Sequence, residues 1–338
     1  MGESAVNLRP EGTGRVVTFT PNPSIDRTVV LGAPLARGEV QRTVFVTEQA
    51  AGKGVNVAKV VAESGVTAEA VLPFGDKAYL EMLDADLPGR MTVAAPEVSH
   101  RPRTNTAVTE PDGTTTKINE SGPTLSDDDL ASARDALVRA AGGADWVALS
   151  GSLPPGAPVD WYAQLVSALK PLGVKIAVDT SDAALDAVLD ALPEASFDLI
   201  KPNSDELAQL TGGDAAAFEA AASTGDVTDI VAAAARLRDR GITNVLVTLG
   251  GSGAVLVNAD GAWHAGAPKI SVRSTVGAGD SSVAGFILAD VAGRPPAECL
   301  TTAVRYGSAA ASLPGTTLPT PADLPSADVS VTDLPLPN

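Results

Sequence analysis

Short apolar runs alternate with amphipathic helical stretches along nearly the whole chain, and this rhythm constrains the fold more than any other feature. Strand candidates fall at 16–20, 70–73, 146–149, 175–179, 199–201, 245–249 and 254–258. Helix candidates fall at 55–64, 127–141, 158–170, 205–210, 227–240, 278–292 and 296–312. A strand followed by a helix cannot return by a tight hairpin, so successive strands lie parallel and helices cover both faces of the sheet. Ser126 followed by Asp129 reads as a capping box for the helix from 127. The expected fold class is α/β, a doubly wound and mostly parallel sheet flanked by helices.

Two segments break the rhythm. Residues 27–49 read as two strands around a Gly/Pro break, and residues 103–120 as a hairpin around Pro111-Asp112-Gly113. Strands without helices join a parallel sheet poorly, so these segments predict a small separate β-sheet, a lid over the main domain. The expected organisation is one domain over 15–318 with lid segments at about 27–49 and 103–120. Residues 1–14 and the Pro-rich 319–338 read as loose termini.

The 338 residues carry 24 Lys and Arg against 41 Asp and Glu, a net charge of −17. That charge speaks against non-specific nucleic-acid binding and against an anionic membrane surface. Any anionic ligand must be held by cations gathered locally. One Cys and two His exclude an intramolecular disulfide and a Cys/His zinc site. No apolar run reaches the roughly 18 residues of a membrane span, and the first residues lack a basic n-region and an apolar h-region. The expectation is a soluble, cytoplasmic protein.

Six Gly-rich or polar turns, among them SGSLPPG and VTLGGSGA, which say little alone, fall at predicted strand ends or helix starts, where one crevice collects ligands in an open α/β sheet. In STVGAGDSSVAGF, Gly277, Ala278 and Gly279 bring small residues to a helix start, whose free N–H groups form an anion hole at the positive end of the dipole. Asp280 in the first turn faces the same ligand. A carboxylate beside an anion hole suits phosphoryl transfer, with Asp280 taking the hydroxyl proton; the plain alternative is an ordinary first-turn Asp. AGKGVNVAKV lacks the Walker A spacing. Lys53 there is a candidate phosphate contact and Asn56 a candidate sugar contact. In TPNPSIDR, Asp26 can accept two hydrogen bonds from a vicinal diol. In KPNSDE, Asn203 and Glu206 share a helical face and suit a hydrated Mg²⁺, while Lys201 reaches nucleotide phosphates. An Asn cap closed by a Glu capping box reads equally well there.

Taken in order, these motifs resemble the ribokinase/PfkB family of sugar kinases from about Val16 to Pro314. TPNPSID, AGKGVNVA, RTN, INESGP, SGSLPPG, DTS and KPN resemble its phosphosugar branch. INESGP and the Lys of AGKG lean towards fructose 1-phosphate as acceptor, with fructose 6-phosphate and tagatose 6-phosphate as alternatives, and a non-catalytic sugar-phosphate binder as a remote one. The resemblance implies a ribokinase-like fold, ATP as phosphoryl donor, Mg²⁺, and fructose 1,6-bisphosphate as product. It implies Asp280 as catalytic base and Gly277, Ala278 and Gly279 as anion hole. Asp26, Gly52, Asn56 and Ser152 would hold the sugar, and Lys53, Arg103 and Arg42 its phosphate. Lys201, Asn203 and Glu206 would serve ATP·Mg, and Thr248, Gly250 and Gly253 the nucleotide. The lid would be the family's β-clasp, which implies a homodimer. Two positions depart from the pattern: Ala107 stands where relatives often carry Lys, and Asp182 where many carry Gly.

Overall fold

The computed structural model of the chain describes residues 14–336 except Pro88 and Ser99. The first part holds β1 (Arg15–Phe19), β2 (Ser24–Leu31), β3 (Thr43–Ala51), α1 (Lys53–Glu63), β4 (Thr67–Val71), α2 (Lys77–Asp86), β5 (Met91–Ala94), β6 (Arg103–Thr109) and β7 (Thr115–Asn119). The middle follows with α3 (Asp127–Ala141), β8 (Trp146–Ser150), α4 (Trp161–Leu169), β9 (Lys175–Asp179), α5 (Asp182–Asp190), β10 (Leu199–Ile200), α6 (Ser204–Thr211) and α7 (Ala215–Ser223). The last part holds α8 (Thr228–Asp239), β11 (Asn244–Thr248), β12 (Ala254–Val257), β13 (Ala262–Ala265), α9 (Ala278–Val291), α10 (Pro296–Ser312) and β14 (Val331–Leu334).

The main sheet has ten strands in the order β14-β13-β12-β11-β10-β9-β8-β1-β4-β5. It is parallel from β5 to β11, and β12, β13 and β14 close one edge antiparallel. Its central strands are buried on both faces, which is why they read as continuous apolar runs. In β1, Val17 and Phe19 join the cluster packed on α3 and α4, and Phe19 meets Trp161 edge-on at 5.5 Å. Val16 faces the other way, into the cluster built from α1 and α9.

The capping box expected at α3 is present, with Ser126 and Asp129 satisfying each other's backbone N–H groups. Six elements, α2, β5, α5, α7, β13 and β14, are not among those expected from the sequence. The Ala-rich α7 (AAAFEAAAS) buries only Phe218 and Ala222, so little apolar periodicity marks it.

The second sheet has four strands in the order β3-β2-β6-β7. It is the separate sheet that the helix-free segments predict, with β2 and β6 paired in parallel. Its strands begin and end slightly beyond the expected segments, at Ser24 and Ala51.

The expectation of a loose stretch over 319–338 is corrected. Residues 321–323 form a 3-10 turn closed by a Thr320–Asp323 capping box. The Arg305 guanidinium donates to Pro325 O at 2.6 Å, and β14 then pairs with β13. The prolines flank this strand rather than interrupt it, and Val329, Val331, Leu334 and Leu336 pack on the two cores. Residues 1–13 of the other expected loose end lie outside the described residues.

Candidate functional site

The carboxyl ends of the parallel strands carry the site. Beyond β1, the Thr20 hydroxyl accepts from Val55 N at 2.8 Å and so caps α1 in place of Gly52, which has no side chain to do so. This brings Lys53 and Asn56, in the first turn of α1, to the sheet's rim. Beyond β8, Gly151 N donates to Asp179 O at 2.9 Å, while the Tyr162 and Thr180 hydroxyls donate to Gly151 O. The turn that carries Ser152 is fixed in this way.

At the start of α9, Gly277 sits at φ 75, a left-handed conformation that favours glycine. The helix makes its first internal bond from Ser281 N to Gly277 O. The N–H groups of Gly277, Gly279 and Asp280 make no hydrogen bond among the described residues, whereas Ala278 N turns back to Thr275 O at 3.4 Å. Three donors at a helix N-terminus form a ready anion site. Nearly every side of α9 is buried, so this terminus is held rigidly.

Asp280, in the first turn of α9, accepts a hydrogen bond from Asn56 Nδ2 at 2.8 Å. Burial pushes its carboxyl up to about 6; Lys53 pulls it down, Asp179 pushes it up, and Asn56 and Lys201 pull it down. At neutral pH it is therefore an ionised base with a pKa suited to accepting a proton.

Asp179, 3% exposed, lies between two lysines: Lys53 Nζ at 3.3 Å and Lys201 Nζ at 3.4 Å. Burial raises its pKa, but Lys201 and Lys53 and their hydrogen bonds outweigh this and hold it below the ordinary carboxylate range. Asp179 in turn raises the pKa of Lys53, whose side chain remains 40% exposed. A side chain at Gly279 would meet Lys201 Nζ at 3.2 Å, so Lys201 lies against the anion hole.

Several sugar candidates belong to the small sheet itself, Asp26 to β2 and Arg103 to β6. Ser24 Oγ and Asn105 Nδ2 both donate to Asp26 Oδ1, at 2.9 and 3.1 Å. Arg103 Nη2 donates to Ser152 Oγ at 3.1 Å. Buried atoms without a partner here are Asn105 Oδ1 and Arg103 Nε. Burial lowers the pKa of the Arg103 guanidinium, which Asp26 opposes. Arg42 stands apart. It is exposed in the link between β2 and β3 and makes no hydrogen bond or ion pair among the described residues.

On the other side of Lys201 a crevice of about 860 Å³ opens, lined by Asn203, Thr248, Gly250, Gly253, Ile270 and Ala278 among others. Its size suits a nucleotide. Gly253, at φ 95, has no room for a side chain, because a Cβ would lie 1.9 Å from Ala265 O. Asn203 and Glu206 form a complete capping box on α6, each accepting from the other's N–H. The capping alternative is thus realised. Glu206 Oε1 still accepts no bond among the described residues, and a lone carboxylate beside an amide fits a cation that keeps its waters. Among the described residues no group of three or more His, Cys, Asp or Glu could hold a metal ion, and no helix is long and apolar enough to cross a membrane.

Sequence reasoning passed over Asn105 and Asp179 as individuals, although RTN and DTS carry them. The signal for Asp179 is a carboxylate at the end of a buried parallel strand, where an ionised group requires partners. Asp182, the position that departs from the usual Gly, is the one non-glycine residue at positive φ among the described residues, at 55°.

The sequence profile of the pfkB family of carbohydrate kinases matches residues 20–323. The 1-phosphofructokinase of Xanthomonas campestris is 37% identical over 278 residues, 81% of this chain and 84% of that protein. The 1-phosphofructokinase of Haloferax volcanii is 36% identical over 310 residues, 90% of this chain and 93% of that protein. Among solved structures, phosphofructokinase-2 from Escherichia coli in complex with potassium superposes with a TM-score of 0.81 at 29% identity, covering 92% of this chain and 97% of that one. A possible 1-phosphofructokinase from Thermotoga maritima, 20% identical with a TM-score of 0.77 over 95% of this chain and 100% of that one, shares the fold.

Proposed function

The chain belongs to the pfkB family of carbohydrate kinases, and from that premise we propose that it transfers the γ-phosphoryl group of ATP to fructose 1-phosphate, giving fructose 1,6-bisphosphate and ADP. The observation that carries this reading is the meeting of Asn56, Asp280 and the open N–H groups of α9 between two lysines.

In this reading Asp26, Asn56 and Asn105 bind the sugar hydroxyls, with Gly52 letting the chain approach closely. Arg103, Ser152 and Lys53 take the phosphate already present. The remaining CH₂OH faces Asp280, whose carboxylate accepts the hydroxyl proton as that oxygen attacks the γ-phosphorus. The bond from phosphorus to the β–γ bridging oxygen breaks, and ADP carries the electron pair away. The N–H groups of Gly277, Gly279 and Asp280 stabilise charge on the transferring group, a role usually worth several kcal/mol. Ala278, whose N–H turns inward, supplies the tight turn rather than a donor. Lys201 lies along the triphosphate, while Thr248, Gly250 and Gly253 line the nucleotide. Glu206 Oε1, with Asn203 beside it, would hold a hydrated Mg²⁺, which would supply charge neutralisation for the phosphates.

The lid serves two purposes. It excludes water from the sugar site, and it pairs with a second copy of the chain. The strands β3 and β7 are open edges of the small sheet, and Phe45 and Ile118 on them are 58% and 60% exposed. Such edges invite a partner. Arg42 belongs to the same exposed surface. Its place in the phosphate clamp therefore depends on that pairing.

The test is a substrate panel: fructose 1-phosphate, fructose 6-phosphate, tagatose 6-phosphate and free fructose with ATP and Mg²⁺. We expect the highest kcat/KM for fructose 1-phosphate and poor turnover of free fructose. If either 6-phosphate wins, the assignment of the acceptor falls. Equal turnover of free fructose would overturn the phosphate clamp.

A further inference from the structure

We propose that Asp179 is a positioning residue that holds Lys53 and Lys201 off the catalytic base, so that both ammonium groups stay aimed at phosphates and Asp280 stays free to take a proton. The proposal rests on the phosphosugar-kinase reading above.

Three buried or half-buried charges crowd around Asp280 from different elements: Lys53 from the start of α1, Asp179 from the end of β9, and Lys201 from just beyond β10. Glu206 on α6 acts at longer range, through Lys53. Both lysines are ion-paired to Asp179 in this arrangement. Neither has a hydrogen bond to Asp280, which takes its bond from the neutral Asn56 instead. A buried carboxylate and a nearby ammonium attract strongly in a dry site. With Asp179 removed, Asp280 becomes the carboxylate that the two lysines can reach. An Asp280 locked in an ion pair would be a weaker base, and a lysine locked onto it would be lost to the phosphates.

The arrangement also separates two anion subsites. Lys53 faces the sugar side and Lys201 the nucleotide side. One carboxylate neutralises only one of the two charges, so the pair keeps net positive charge for two polyanionic substrates despite the overall −17.

The experiment is Asp179→Asn, measured as kcat, KM for both substrates, the pH profile and thermal unfolding. Wild-type turnover is established first; its absence would sink the kinase reading, not this one. In the variant we expect kcat to fall 10- to 100-fold and KM for both substrates to rise, as the lysines turn from the phosphates to Asp280. We also expect the acid limb of kcat/KM to move down by about one pH unit, because both lysines then act on Asp280 unopposed. A purely structural role would lower the melting temperature and leave the acid limb in place, and that result overturns the proposal. An unchanged kcat does the same. If the Asn variant does not fold, Lys53→Gln, Lys201→Gln and their combination give a second measurement. Either lysine alone can pair Asp179, so the combined loss of melting temperature should exceed the sum of the single losses, and additive losses overturn the proposal.

Discussion

Asn56 Nδ2 lies 2.8 Å from Asp280 Oδ2, although the two residues are 224 positions apart and belong to different helices. The contact joins the first turns of α1 and α9. It brings a sugar-binding candidate to the catalytic candidate, which is where a hydroxyl acceptor must meet its base. A neutral amide is the suitable partner: it orients the carboxylate without taking its charge away.

Replacing the base separates chemistry from stability. Asp280→Asn should lower kcat by at least 10²- to 10⁴-fold, with the fold intact. The same variant should unfold at a higher temperature near neutral pH. The folded pKa of about 6 lies above the unfolded value, so the ionised carboxylate costs stability above pH 6. That cost disappears as pH falls from 6 towards 4. The rise from the ordinary carboxylate range to about 6 sets a ceiling of about 3 kcal/mol on the gain. Calorimetry and steady-state rates on one preparation test both halves. A variant that keeps more than a tenth of wild-type kcat removes Asp280 from its role.

The pH profile of the wild type follows from the same group. Protonated Asp280 cannot accept a proton, so kcat/KM should fall tenfold per unit below about pH 6 and be flat just above it. An acid limb near pH 4 would mean that the base is an ordinary exposed carboxylate.

Lys53 and Arg103 divide the phosphosugar from the nucleotide. Arg103→Ala and Lys53→Ala should each raise KM for the phosphosugar by roughly 10- to 100-fold, as charge-assisted contacts of about 1.5–3 kcal/mol are lost. KM for ATP should change little in Arg103→Ala. Free fructose, which offers no phosphate, should be almost indifferent to Arg103→Ala. A parallel loss on free fructose would show that Arg103 only supports the fold through Ser152 and the Glu120 carbonyl.

Most of the framework is legible in the chain because local chemistry writes it. The runs around Val147 and Val245 are buried on both faces and therefore continuously apolar, and Ser126 with Asp129 states its cap outright. The glycine turns at Gly277 and Gly253 are legible for the same reason, since backbone geometry demands glycine there. Partnership across distance is not legible. Asp179 and Lys53 are 126 positions apart, and nothing near either announces the other. The C-terminal strand is hidden differently: prolines around Val331–Leu334 look like linker until β13 offers an edge.

Asp182 accounts for a departure that the sequence alone leaves unexplained. Its φ of 55° is a left-handed position, where glycine is unstrained and Asp is tolerated better than most side chains. Asp182→Gly should therefore leave stability within about 0.5 kcal/mol, the relief of strain offsetting the greater freedom of the unfolded chain. Asp182→Ala should be less stable than the glycine variant by about 1–2 kcal/mol. Denaturant titration of the pair decides it. Equal stabilities would mean that the left-handed conformation is not retained.

The lid sets the last expectation, a dimer. Phe45 and Ile118 lie on the outer strands of the small sheet, and every residue of β7 is exposed. An open edge with apolar side chains is unstable in isolation, and a two-fold axis satisfies both copies with one surface. Light scattering at micromolar concentration should return twice the 34.0 kDa of the chain. Phe45→Glu together with Ile118→Glu should convert the protein to a monomer, since two buried charges facing their own symmetry mates cost several kcal/mol. Asp280 and the nucleotide crevice belong to the main domain, so the monomer should keep its affinity for ATP. Its KM for the phosphosugar should rise, because Arg42 loses the pairing that brings it to the clamp. A wild-type mass of 34 kDa in solution, or a lid variant that stays dimeric, would place the subunit contact elsewhere.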